Sequence, residues 1–123
     1  MTFALRVIAL ALLLAVPAQA QELQIGTGPI CDTQKQTERL VALLDGGAET
    51  AIKVVNAEER DPTACIVATV AYMEGPQLTV AHNKAGTYRI VKVLVVGLHT
   101  PAGVVPTAPA AYFTIFKLEE QQV

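Results

Sequence analysis

The sequence predicts an α+β domain in which two N-terminal helices pack on a four-stranded antiparallel meander. Three observations carry that expectation. Residues 33–57 hold apolar side chains at helical spacing, the period changes to that of strands at Cys65, and the run Gly86–His99 (GTYRIVKVLVVGLH) is the longest β-forming stretch after the N-terminal segment. In that run Tyr88, Ile90, Leu94, Val96 and Leu98 would point to one face, and Val91, Val93 and Val95 to the other. A strand that is apolar on both faces has to be covered on both. The alternative architecture is therefore a sheet curled toward a small SH3-like barrel.

The chain begins MTFALRVIALALLLAVPAQA: a positive charge at Arg6, an apolar run Val7–Val16, Pro17, and the small-x-small triplet Ala18-Gln19-Ala20. This is the layout of a cleavable secretory signal covering residues 1–20. The apolar run is about half the length that a membrane-spanning helix needs, so no stable membrane insertion is expected after cleavage. Residues 21–123 then make a single small α+β domain, exported to the periplasm or secreted. The formal net charge is −2 and becomes more negative once Arg6 is lost. Lys and Arg are scattered along the chain, which argues against a phosphate-binding surface and so against a nucleic-acid partner.

The two cysteines, Cys31 and Cys65, are expected to form a disulfide, the usual fate of a cysteine pair in an exported chain. A reactive or metal-binding thiol is the competing reading. It lacks both a C-x-x-C spacing and a histidine near either cysteine in sequence.

Taken in order, residues 21–30 (QELQIGTGPI) carry two glycines and a proline and read as an extended arm or a short edge strand. The pattern Thr33-x-x-Gln36 fits a capping box, and Leu40, Val41, Leu43 and Leu44 give the helix over about 33–44 one apolar face before Gly46-Gly47 ends it. A second helix over about 48–57 places Ala48, Ala51, Ile52 and Val55 on one side. The segment Glu58–Asp61 reads as a solvated connector stopped by Pro62, since a calcium loop would need alternating ligands and a central glycine. Strands are expected over 65–73, 78–81, 86–99 and 112–118, with turns at Glu74-Gly75-Pro76, Asn83–Gly86 and Thr100–Gly103. Pro106 and Pro109 should keep 104–110 irregular or at an edge, and the polar end 119–123 should fray.

Candidate sites are few. His82 and His99 each fall at a strand end next to a turn. They could join a carboxylate in a metal-dependent or hydrolytic centre, but their spacing fits no ligand pair on one element, and two exposed strand-end residues is the plainer account. The sequence has no serine, so a serine nucleophile is excluded. Tyr72, Tyr88 and Tyr112 sit on three different strands and could share a binding face, or could be partly buried with their hydroxyls at the rim. Gly26-Thr27-Gly28 is too short for a phosphate loop. No catalytic residue, metal ligand or cofactor is assigned.

In the blocks ICDTQKQTERLVALLDGG (30–47), VNAEERDPTAC (55–65) and IVKVLVVG (90–97), the sequence resembles a family of small exported bacterial proteins without an assigned activity. The resemblance implies export and carries no mechanism. The functional expectation is a non-enzymatic binding or interaction domain whose partner is an envelope protein or a small ligand, held at the sheet face or at the turns around His82 and His99. The alternative is a small enzyme built on those two histidines.

Overall fold

The computed structural model describes residues 22–118. The expected signal (1–20) and the polar end (119–123) lie outside the described residues. The elements are β1 (Leu23–Cys31), α1 (Gln34–Leu43), a 3-10 turn (Leu44–Gly46), α2 (Ala48–Glu59), β2 (Cys65–Asn83), β3 (Gly86–Thr100) and β4 (Gly103–Leu118). No helix among the described residues is long and apolar enough to cross a membrane.

This order corrects the expected one. The helices are not N-terminal: they lie between β1 and β2, because the segment read as an arm or a short edge strand is a full strand paired with β2 along all nine of its residues, from Leu23 opposite Met73 to Cys31 opposite Cys65. Glycine and proline hide β1 in the sequence, and the ladder supplied by β2 makes it a strand. The two strands expected at 65–73 and 78–81 are one continuous β2. Glu74-Gly75-Pro76 is a bulge within it, since the register with β3 shifts between Glu74 and Gln77. Gly75 is required there, because a Cβ at that position would lie 2.6 Å from the Lys92 carbonyl oxygen. β4 begins at Gly103 and runs through both prolines. Its ladder to β1 comprises Phe113 and Thr114 alone, so Pro106 and Pro109 stand on an edge where a missing N–H costs nothing.

All strand pairs are antiparallel in the order β1-β2-β3-β4, and β4 returns to β1 through the pairs Ile30–Thr114 and Cys31–Phe113. Two pairs close the ring at one place only. The sheet is therefore not the small SH3-like barrel offered as the alternative.

The other two turns form where expected. Asn83 Oδ1 accepts from the backbone N–H groups of Ala85 and Gly86, and the Thr100 hydroxyl donates to the Gly103 carbonyl at 2.8 Å. Gly103 sits at φ +115°, a conformation that side chains disfavour. The capping box is complete. The Thr33 hydroxyl accepts from Gln36 N–H at 3.2 Å, and Gln36 Oε1 accepts from Thr33 N–H at 3.0 Å. Such a cap contributes about 1 kcal/mol.

Two apolar clusters hold the molecule. Ile30, Val70, Tyr72, Val91, Val93 and Val95 meet inside the ring. On its outer side, α1 and α2 lay Leu40, Ala51 and Val55 over the paired cysteines. Cys31 and Cys65 stand directly opposite each other in the β1–β2 ladder, form a disulfide and are fully buried. Asn56 fixes α2 to the start of β2: its side-chain amide donates to the Pro62 and Cys65 carbonyls and its oxygen accepts from Cys65 N–H. The expectation that β3 is covered on both faces holds over only part of its length. Val91, Val93 and Val95 are buried and Ile90 lies beneath the helices. Beyond their reach Lys92 and Leu94 are exposed, Leu94 beside Met73 and Leu23 on the outer face.

Candidate functional site

Alternation along β1 decides what faces the inside of the ring. Gln24, Gly26, Gly28 and Ile30 point inward, opposite Tyr72, Val70, Ala68 and Ile66 of β2, while Leu23, Ile25, Thr27 and Pro29 point outward. Two of the four inward positions thus have no side chain. The β1–β4 seam runs no further than Ile30 because Pro29 has no N–H to donate. The Pro29 carbonyl instead accepts from the Thr114 hydroxyl at 2.7 Å. Antiparallel continuation would have placed Phe116 opposite Gly28; without pairing, that part of the ring stays open.

The result is a half-enclosed slot of about 160 Å³ between β1 and β4. Gly26 and Gly28 form its β1 wall, Val70, Tyr72 and Val93 its floor, and Thr114 and Phe116 its β4 wall. The inward residues Ala68, Tyr112 and Phe116 pack against the inner cluster yet are only partly buried, because this side of the core has no cover. Gly28 is the informative position. A Cβ built there meets no atom within 4 Å, and its backbone is not left-handed, so the fold itself does not demand glycine. Gly26 has less room, with the Tyr72 ring 3.4 Å from its Cβ position.

The side-chain hydroxyls that reach the slot are already engaged. The Tyr72 hydroxyl donates to Gln24 Oε1 at 3.1 Å. Burial, and after it the neighbouring Glu74 carboxylate, raises the tyrosine pKa, which keeps that donor protonated. Behind Phe116, the Arg89 guanidinium lies 4.9 Å from the ring centroid and reaches Glu74 at 3.4 Å.

The residues singled out in the sequence separate into different places. Tyr72 and Tyr112 do share the inside of the ring, where they face Val95 and Val93 of β3. Tyr88 does not join them. It has the opposite parity on β3 to the inward Val91 and Val93, and pairs with Ala81 and Lys117 near the β2–β3 hairpin. His82 is exposed at that hairpin, its Nδ1 3.0 Å from the Thr87 hydroxyl, whereas His99 is exposed near the far end of β3 beside Val104. Strand rise over that span separates them by roughly 40 Å. A centre using both imidazoles is not assembled, and among the described residues no group of three or more His, Cys, Asp or Glu could hold a metal.

Comparison with known protein families, with curated proteins and with solved structures gave no match. The slot therefore has to be interpreted from its own chemistry. Sequence reasoning missed it by weighing Gly26-Thr27-Gly28 only as a phosphate loop. The available signal was glycine at two successive same-face positions of a strand, which removes side chains from one face of the sheet.

Proposed function

We propose that this chain is an exported, non-enzymatic binding domain and that the slot between β1 and β4 is where its ligand sits. The observation that carries the reading is Gly28, an inward glycine that neither backbone conformation nor steric crowding requires, facing open apolar space in a core that is otherwise closed. Apolar concavities with a few fixed polar groups are the usual form of ligand sites. The secretory layout of residues 1–20, the disulfide and the resemblance to small exported bacterial proteins support export to the periplasm or beyond the cell. The supposed enzyme on His82 and His99 has no comparable support, since the two side chains lie at opposite ends of β3.

The test is in-cell photo-cross-linking with the reactive side chain placed either at Gln24, at the mouth of the slot, or at Lys84, in the distant β2–β3 turn. The expected result is a discrete adduct from position 24 alone, on a chain recovered outside the cytoplasm with Gln21 as its first residue. The adduct should disappear when Gly28→Leu is added. Equal labelling from both positions, or an adduct from position 24 that persists in Gly28→Leu, would remove the slot as the site.

A further inference from the structure

Size, charge and hydrogen-bonding capacity of the slot together restrict what it can hold. We infer that it takes one small uncharged apolar group, an aromatic ring or a branched aliphatic end of about benzene size; this rests on the reading of the slot as the binding site. The volume of about 160 Å³ sets the size, since an apolar cavity of roughly 150 Å³ accommodates benzene. It is too small for a drug-sized molecule, whose sites start at about 300 Å³.

Charge is excluded by the lining. Gly26, Gly28, Val70, Val93 and Phe116 are apolar, and no lining residue is an acid or a base. The side-chain hydroxyls that face the space are already spent, Tyr72 on Gln24 and Thr114 on the Pro29 carbonyl. A charged group would lose water there and gain no countercharge. Arg89, the cation nearest to Phe116, is already paired with Glu74. What the slot does offer is two aromatic faces, Tyr72 on the floor and Phe116 on the wall, against which a ring or a branched aliphatic end packs well. The group can be a free small molecule or the apolar end of a larger one.

Titration of the full chain, purified as the exporting cell processes it, with toluene, hexylbenzene and benzoate distinguishes these possibilities when followed by methyl NMR. Toluene should shift the methyl signals of Ile30, Val70 and Val93 saturably, benzoate should bind at least about tenfold more weakly, and Gly28→Leu should abolish the toluene shifts. Hexylbenzene binding at least as well as toluene assigns the group to the end of a longer ligand, and hexylbenzene exclusion assigns it to a free small molecule. Shifts of the same methyls by benzoate but not by toluene would overturn the uncharged-group inference while leaving the slot as the site. Toluene shifts confined to methyls elsewhere and unchanged in Gly28→Leu would overturn both. So would the absence of a saturable shift with any of the three probes.

Discussion

Removal of the Cys31–Cys65 disulfide, by reduction or by joint replacement with alanine, is expected to lower the unfolding free energy by about 3 to 4 kcal/mol. The bridge spans 34 residues of sequence that include both helices. Cutting it restores the loop entropy of that whole segment to the unfolded chain. Small domains are stable by about 5 to 15 kcal/mol in total, so the loss takes a large part of the margin. Each kcal/mol moves the midpoint of a domain of this size by roughly 4 to 8 °C. Thermal unfolding followed by far-UV circular dichroism, with and without reductant, should therefore show a fall of more than about 12 °C. A fall of a few degrees would mean that the helices are held to the sheet well enough without the bridge.

Leu40→Ala is the second large effect. Leu40 is fully buried between α2 and the two cysteines, in the one layer that fastens the helices to the outer face of the ring. Removing its side chain leaves a cavity that neighbours held by the disulfide and by Asn56 cannot easily close, at a cost of about 2 to 5 kcal/mol. Leu94→Ala is the matching control. Leu94 lies on the uncovered part of the same outer face and is 37% exposed, so its loss should cost less than about 1 kcal/mol. Chemical denaturation of both variants gives the comparison. Equal losses would show that something covers Leu94 in solution.

Those two substitutions also mark what the sequence made legible. Local chemistry was readable: the Thr33–Gln36 capping box, the apolar face carrying Leu40, the turns at Asn83 and Thr100 and the cysteine pair were all evident, because each depends on residues close together in the chain or on a pair with no competitor. Pairing over distance was not readable. β1 looks like an arm because its inward face is Gln24, Gly26, Gly28 and Ile30, and only the ladder with β2 makes it a strand. Glu74-Gly75-Pro76 looks like a turn because glycine and proline mark turns and bulges alike. The decision between them comes from Val91 and Val93 pairing on either side of it. Tyr88 was grouped with Tyr72 and Tyr112 although its position, three residues from Val91, already gave it the opposite parity. The slot was hidden for the same reason as β1, since an absence of side chains gives no periodic signal.

The central claim is that the gap beside Gly28 is real space, open to an occupant and not needed by the fold. The thermal midpoint of Gly28→Leu tests it directly. Glycine is a poor strand residue by up to about 1 kcal/mol, and burying part of a leucine against Val70, Val93 and Phe116 adds further stability. The account predicts a midpoint several degrees above that of the unaltered chain. A midpoint clearly below it would mean that the leucine finds no room, that β1 and β4 lie closer than described, and that there is no slot to fill.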